Sequence, residues 1–263
     1  MSRNYHAGAA RPLWVSQNFL TSSRLVEHLL SLTSIDEKDH VLEIGPGKGH
    51  ITARLLTRCS HVTAVELDAS LYTGLKQKYD GVENLSLVHS DILQWPLPQD
   101  SAYKVVSNLP FGSTTAILRR LTEARHAPSE LWLVMERGAA LRFCGQPRES
   151  LRSLVLKARY DIRIIHRLHR ADFHPMPSVD AVFVHLKRKQ QPDISDDLFA
   201  SYQRFLERGF NGGLSVLRRQ YGGTGFDEAL RQARIATGRL PGDIRYIQWL
   251  CLFRCCHMQR RRP

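Results

Sequence analysis

The stretch VLEIGPGKGHIT, residues 41–52, places three glycines where an apolar run ends and a helical pattern begins. Glycine lets the backbone turn sharply and approach a bound molecule, and the first turn of a helix offers free N–H groups. The spacing of Gly45, Gly47 and Gly49 matches neither a P-loop nor the dinucleotide fingerprint G-x-G-x-x-G. The stretch therefore predicts a strand, a tight turn and a helix that together bind a ligand, whose identity it leaves open.

Apolar runs alternate with helical patterns on both sides of this stretch. Five runs are rich in Val, Leu and Ile without strict alternation, as in parallel strands that are covered on both faces. They span 40–45, 61–67, 85–91, 103–108 and 130–136, with helical patterns at 49–58, 69–79 and 114–124. Two later runs, 160–170 and 178–188, predict an antiparallel pair at one edge. The predicted fold class is α/β, with a Rossmann-like sheet.

The composition turns polar at KRKQQPDIS, residues 187–195, which predicts a linker. Helical patterns follow, separated by glycine-rich breaks, at 196–210, 213–220, 225–236 and 243–257. We therefore expect an N-terminal tail at 1–20, an α/β domain at 21–188 and a small, basic, all-helical domain at 189–263.

The charge of the chain favours a polyanionic partner. The 263 residues include 37 Lys and Arg against 25 Asp and Glu, which gives a net charge of +12. From Arg188 to Pro263 there are fourteen basic and seven acidic residues, a net of +7. Nucleic acid is a better match than a membrane, because neither a lipidation motif nor an amphipathic terminal helix accompanies the charge.

The remaining composition predicts a cytoplasmic protein. No apolar run approaches the roughly eighteen residues of a membrane span, and the N-terminus lacks the apolar core of a secretory signal. Five cysteines, an odd count, fit a reducing compartment. Cys251 and Cys255 would share one face of a helix, but a second pair of zinc ligands at suitable spacing is missing. We therefore predict buried helical thiols and no metal site.

Acidic residues follow the second and third predicted strands. Glu66 comes 21 residues after Gly45, where a carboxylate can accept hydrogen bonds from ribose hydroxyls. Asp91 can accept from an adenine amine, and Ile92 can pack on the ring. These features describe a slot for adenosine without a pyrophosphate site, which favours S-adenosylmethionine over NAD. The alternative is that both acids cap helices or face solvent.

The stretch SNLPF, residues 107–111, leaves the fourth predicted strand beside this slot. An adenine amine is a weak nucleophile because its lone pair is delocalised, and two acceptors aimed at its N–H bonds would draw the nitrogen towards tetrahedral geometry. Asn108 offers one acceptor, and a backbone carbonyl in the turn held by Pro110 offers another. Phe111 offers a ring face to an extruded base. The same residues also form an ordinary turn sequence.

Six motifs occur in order along the chain and carry a family resemblance. They are SQNFL (16–20), EIGPGKGHIT (43–52), VELD (65–68), SDIL (90–93), SNLPF (107–111) and FHPMPSVDAVFVHL (173–186). The series resembles the ribosomal RNA adenine N6-dimethyltransferases, above all the Erm branch, which methylates large-subunit ribosomal RNA. The likeness covers roughly residues 13–188, whereas the tail is similar only in being short, basic and helical.

The resemblance implies a Rossmann-like S-adenosylmethionine methyltransferase sheet with a small all-helical C-terminal domain. It implies that the tail motif at 1–20 lies beside the cofactor, that 21–188 is catalytic and that 189–263 binds RNA. Tyr is common in the family where this chain has Phe111, which keeps the ring face without the hydroxyl. The implied catalytic residues are Asn108, Leu109, Pro110 and Phe111, and the implied cofactor-binding residues are Asn18, Leu20, Gly45, Gly47, Glu66, Leu67, Asp91, Ile92 and Asn108.

The expected activity is mono- or dimethylation of a specific adenosine in 23S rRNA, which would confer macrolide, lincosamide and streptogramin resistance. The expected partner is 23S rRNA, naked or in an assembling large subunit, and the protein is expected to be a monomer. Arginines near the cleft would hold phosphates: Arg119, Arg120, Arg137 and Arg142. The alternatives are a small-subunit dimethyladenosine transferase, a noncatalytic nucleic-acid binder and a dehydrogenase.

Overall fold

The computed structural model describes residues 18–99 and 102–259. Residues 1–17 of the predicted tail and 260–263 of the predicted helical domain lie outside the described residues. Among the described residues, no helix is both long enough and apolar enough to cross a bilayer.

The centre of the molecule is a seven-stranded sheet with the order β4-β3-β2-β5-β6-β9-β7. Neighbouring strands from β4 to β6 run parallel, and β9 pairs antiparallel with both β6 and β7. This confirms the predicted α/β class and the antiparallel pair at the edge. The strands are β2 His40–Ile44, β3 His61–Glu66, β4 Leu85–His89, β5 Lys104–Asn108, β6 Glu130–Glu136, β7 Tyr160–Leu168 and β9 Ala181–Arg188.

A second, two-stranded sheet joins distant parts of the chain. Strand β1, Phe19–Leu20, pairs antiparallel with β8, Phe173–His174. The Thr21 amide donates to the carbonyl oxygen of Asp172 at 3.1 Å and extends this contact. The described end of the first motif, residues 18–20, is therefore adjacent in space to the start of the motif at 173–186.

Helices cover both faces of the sheet. The first begins after Ser22, whose hydroxyl accepts a hydrogen bond from the Leu25 amide, as expected of an N-cap serine. Two helices between β6 and β7 were not predicted. The six are α1 Ser23–Ser31, α2 His50–Leu55, α3 Ala69–Lys78, α4 Thr114–Thr122, α5 Arg137–Cys144 and α6 Leu151–Lys157.

The sheet has one hydrophobic core on each face. Alternate strand residues point to opposite sides, so Leu42 and Val105 pack with α4 while Val41 and Val106 pack with α1 and α2. Helices α2 and α4 therefore lie on opposite faces. This arrangement explains why the strand sequences do not alternate between apolar and polar residues.

The C-terminal region is helical, as expected. It consists of α7 Asp196–Tyr221, α8 Gly223–Gln232 and α9 Tyr246–Gln259. Gly213, with φ of 71°, interrupts the helical dihedral angles of α7 at the predicted break. A third core fills this region. It also includes Leu154, which lies in α6, and Ala158, which directly follows that helix. This core therefore includes residues that precede the expected boundary at 188/189.

The cysteines of the helical region lie within α9. Cys256 is fully buried in the third core, and Cys251 and Cys255 are half-buried at its margin. Within residues 18–99 and 102–259, no three or more His, Cys, Asp or Glu side chains form a group that could hold a metal ion.

Candidate active site

A cavity of about 390 Å³ lies at the carboxyl ends of the parallel strands. This is the usual ligand position in open α/β sheets, and the volume suits a small organic molecule. Ile44, Glu66 and Asn108, which end β2, β3 and β5, are all part of its wall. Of the predicted site residues, those lining the cavity are Asn18, Gly45, Glu66, Leu67, Asp91, Ile92, Asn108, Leu109, Pro110 and Phe111.

Two predicted residues support the cavity from behind its wall. Leu20 is 3% exposed and belongs to the core under α1 and α2, so the structure places it behind Phe19. Gly47 has φ of 60°, and a Cβ atom there would lie 2.5 Å from Cε1 of the Phe19 ring. Only glycine accommodates both the left-handed backbone and the ring, which in turn lines the cavity.

Glu66 is held by the backbone on both carboxylate oxygens. The Gly47 amide donates to Oε2 and the Asp68 amide donates to Oε1, each at 2.9 Å. A carboxylate has about four acceptor positions, so each oxygen keeps one for a ligand hydroxyl. The side chain forms part of the cavity wall and is only 1% exposed, so it is shielded from bulk water.

A second buried carboxyl group, Glu43, lies beneath the glycine loop. Its Oε2 accepts a hydrogen bond from the Thr52 hydroxyl at 2.6 Å. Burial, together with the negative charge of Glu66, raises the pKa of Glu43 to about 8. Glu43 is therefore largely protonated at neutral pH. Glu43 is not among the predicted site residues, because an acid inside a strand has no local signal of burial.

Asp91 and Ile92 occupy the positions expected of adenine-binding residues. Asp91 Oδ1 accepts from the Leu93 amide at 2.8 Å, which fixes the side chain at the mouth of the cavity. Its Oδ2 has no hydrogen-bond partner within the described part of the chain. Ile92 is buried to 7% exposure and supplies an apolar wall beside this free oxygen.

Asn108 combines one satisfied group with one unsatisfied group. Its Nδ2 donates to the Asn18 carbonyl oxygen at 2.6 Å. Because that carbonyl can only accept, the amide nitrogen must face Asn18 and the oxygen must point away. Asn108 Oδ1 is buried and has no partner among the residues described. A buried acceptor without a partner costs about 1–3 kcal/mol, so the site is preformed for a donor.

The turn after Asn108 provides a second acceptor. Pro110 has φ of −63°, and its carbonyl accepts from the Ser113 amide at 3.0 Å and the Thr114 hydroxyl at 3.2 Å. The Leu109 amide is bound to the Val134 carbonyl, whereas the Leu109 carbonyl accepts no hydrogen bond from any described residue. The free backbone acceptor in this turn is therefore that of Leu109.

Two contacts around this turn were not predicted. The buried Ser107 hydroxyl donates to the Ile44 carbonyl at 2.6 Å and joins β5 to β2 directly below the cavity. The Asn18 carbonyl orients Asn108 through its backbone and therefore has no side-chain signal in the sequence. Phe111 is half-buried against the core shared with α1, with part of its ring in the cavity wall.

Several known proteins are similar to this chain. The model of a family described as ribosomal RNA adenine dimethylase matches residues 14–257. An rRNA adenine N-6-methyltransferase from Lysinibacillus sphaericus is 35% identical over 90% of this chain and 93% of its own length. The crystal structure of the 23S rRNA methyltransferase ErmE superposes with a TM-score of 0.81 and 26% identity, covering 91% of this chain and 100% of that one.

A dimethyladenosine transferase from Plasmodium falciparum has a similar fold. Its crystal structure superposes with a TM-score of 0.70 at 19% identity, covering 92% of this chain and 98% of that one.

Proposed function

Because this chain belongs to the ribosomal RNA adenine dimethylase family, it is an S-adenosylmethionine-dependent rRNA adenine N6-methyltransferase, and we propose that its substrate is a specific adenosine of 23S rRNA. The observation that carries the proposal is the pair of free acceptors at the carboxyl end of β5, Asn108 Oδ1 and the Leu109 carbonyl. A group with two N–H bonds, such as an adenine amine, would satisfy both.

The cavity fits S-adenosylmethionine, which supplies an electrophilic methyl group when bound. Glu66 would accept hydrogen bonds from the ribose hydroxyls, and Asp91 Oδ2 would accept from the adenine amine of the cofactor. Ile92 and Leu67 would pack against its apolar surfaces. The fit rests on acceptors that the protein itself leaves open, because Glu66 and Asp91 keep free lone pairs after their backbone hydrogen bonds are made.

The acceptor pair would activate the amine of the target adenosine. Hydrogen bonds from the two N–H groups to Asn108 and Leu109 draw the nitrogen out of conjugation with the ring. The lone pair of the nitrogen then becomes available to accept a methyl group. The bond between Asn108 Nδ2 and Asn18 prevents the amide from rotating, and Pro110 fixes the turn. Phe111 would stack on the extruded base.

The large ribosomal subunit is the preferred source of the adenosine. Similarity to the 23S enzyme ErmE, together with the short helical C-terminal region, supports this choice. Methylation there would block macrolide, lincosamide and streptogramin binding. We expect the protein to act in the cytoplasm and as a monomer. The alternative is a 16S rRNA dimethyladenosine transferase. A noncatalytic binder is disfavoured because the acceptors and cofactor acids are all present.

The direct test is methyl transfer to separate, naked 23S and 16S rRNA. The protein is incubated with tritiated S-adenosylmethionine and each RNA, and the modified position is mapped by primer extension. We expect label in 23S rRNA at one adenosine. Label confined to 16S rRNA would overturn the choice of subunit, and no label in either RNA, with cofactor binding demonstrated, would overturn the catalytic assignment.

A further inference from the structure

A second, wider depression of about 740 Å³ adjoins the active-site cavity; we refer to it as the α4 groove. Leu93 and Gly112 line both spaces, so the groove begins at the cavity mouth. Its walls are the segment that follows β4, the outer face of α4, residues 123–126 directly after that helix, and Arg152 of α6. A nucleotide chain that delivers one base to the cavity could continue into this groove.

The lining of the α4 groove is strongly basic. It contains four arginines, one histidine, one carboxylate and no Phe, Tyr or Trp. Arginine contacts phosphate, whereas single-stranded bases are held by stacking on aromatic rings. With four arginines and a single aromatic ring, that of His126, this lining is better suited to binding a phosphate backbone than to stacking successive bases. Its charged residues are Arg119, Arg120, Arg125, Arg152 and Glu123.

The four arginines differ in what they already bind. Arg120 Nη2 donates to the Trp95 carbonyl at 2.7 Å, which ties α4 to the segment after β4. Arg119 is paired with Glu123 at 3.0 Å, with 59% of its side chain exposed. Arg125 and Arg152 are exposed and make no hydrogen bond or ion pair with any residue that the structure describes. Arg125 and Arg152 are therefore the available phosphate ligands.

We propose that the ribose-phosphate backbone flanking the target adenosine lies in the α4 groove, with phosphates bound by Arg125 and Arg152. The proposal rests on the proposed function, since it needs RNA that enters the cavity. Glu123 limits the contribution of Arg119 by neutralising it, and Arg120 supports the groove wall. The contacts made by Arg125 and Arg152 would give affinity and salt dependence without reading sequence.

The test compares RNA binding of the wild type with that of an Arg125→Ala/Arg152→Ala double variant. Binding of a hairpin RNA with one accessible adenosine is measured across KCl concentrations. Loss of two phosphate contacts should reduce the slope of log Kd against log salt by roughly 1.4, at about 0.7 for each single-strand contact. At low salt the affinity should fall about tenfold, equally for two RNAs with different flanking sequences, and the KM for RNA should rise.

Two further variants complete the design. Glu123→Gln frees Arg119 and should tighten RNA binding by roughly two- to threefold. Arg54→Ala removes a 45%-exposed arginine from α2, on the opposite face of the sheet, and should leave the slope unchanged. S-adenosylmethionine affinity and the melting temperature of every variant show whether the fold is retained.

Each outcome decides the proposal. A double variant with the wild-type salt slope and wild-type KM, while methyl transfer is intact, would overturn the α4 groove as the RNA track and leave the proposed function standing. A loss of affinity for only one of the two flanking sequences would show that these arginines contact bases, and would overturn the proposal that they bind the backbone. A wild type that binds the cofactor and the hairpin but transfers no methyl group would instead count against the proposed function.

Discussion

The carboxyl edge of the parallel sheet and the C-terminal helical region use their buried groups differently. At the edge, Glu66 and Asn108 are held by backbone hydrogen bonds and keep acceptors directed at a cavity. In the helical region, Trp249 lies fully buried between the rings of Phe205 and Phe210. Each buried acceptor without a partner at the carboxyl ends of the strands lowers the stability of the fold by about 1–3 kcal/mol. Ring packing in the helical region, in contrast, stabilises the fold. The buried acceptors at the cavity thus serve ligand binding, whereas the buried rings of the helical region serve packing.

The largest effect is expected on the methyl-transfer rate, at the residue that contacts the target amine. Asn108→Ala removes the side-chain acceptor and should lower the methyl-transfer rate by roughly a thousandfold, with a much smaller effect on cofactor affinity. Single-turnover transfer and calorimetric titration measure the two quantities. Asn84 is a matched control, because its Nδ2 also donates to a backbone carbonyl, that of Leu56, but away from the cavity. A rate for Asn108→Ala within tenfold of the wild type would remove this residue from the mechanism.

Substitutions in the core of the helical region should lower the stability of the protein and leave cofactor binding unchanged. Trp249→Ala deletes a buried ring and the hydrogen bond from its Nε1 to the Pro241 carbonyl, and should destabilise the protein by about 3–5 kcal/mol in urea unfolding. Ile247→Ala, on the same helix but 60% exposed, should change stability by less than about 0.5 kcal/mol. If Trp249→Ala weakened S-adenosylmethionine binding in the folded state, the two regions would not be separable in this way.

A smaller effect is expected at Phe111. Phe111→Leu keeps apolar bulk but loses the ring face, and kcat/KM for RNA should fall about tenfold, the equivalent of about 1.4 kcal/mol of stacking. Phe111→Tyr restores the ring with an added hydroxyl and should retain activity. Full turnover by the leucine variant would show that the target base does not stack on this residue.

A separate effect is expected in the pH dependence of stability. Burial raises the pKa of Glu43 from 4.5 to about 8, so the folded state keeps a proton that the unfolded state loses above about pH 4.5. Stability should therefore fall as pH rises from about 5 to 8, by up to roughly 1.4 kcal/mol per unit. Glu43→Gln should remove this slope in chemical denaturation, and exposed Glu83→Gln should not. Parallel curves for wild type and Glu43→Gln would refute the assignment.

The parts of the site that follow from local sequence are those at strand ends. Glycines after β2 and acids after β3 and β4 are visible in a one-dimensional pattern, because parallel strands place their carboxyl ends along one edge. The same reasoning located Asn108 and the turn at Pro110. Leu20 was implied only by the family resemblance. Neither the glycine pattern nor the resemblance separated residues that line the cavity from residues that support it, so Gly47 and Leu20 were both included among the cofactor-binding residues.

The parts that could not be predicted depend on pairing across the chain. The Asn18 carbonyl orients Asn108 from a distance of 90 residues in sequence, and β1 meets β8 across more than 150. Strand β9 lies between β6 and β7, so chain order did not predict its central position in the antiparallel part. The inclusion of α6 residues in the third core likewise reflects tertiary packing, for which the polar segment at 187–195 gave no sign.

The central claim is that the site at the carboxyl ends of the parallel strands methylates the exocyclic amine of adenine. Its most direct test is mass spectrometry of nucleosides from 23S rRNA that has been incubated with the protein and S-adenosylmethionine carrying a deuterated methyl group. The account predicts heavy N6-methyladenosine, N6,N6-dimethyladenosine or both. Heavy label found only on another base, on a ring nitrogen or on ribose would contradict it.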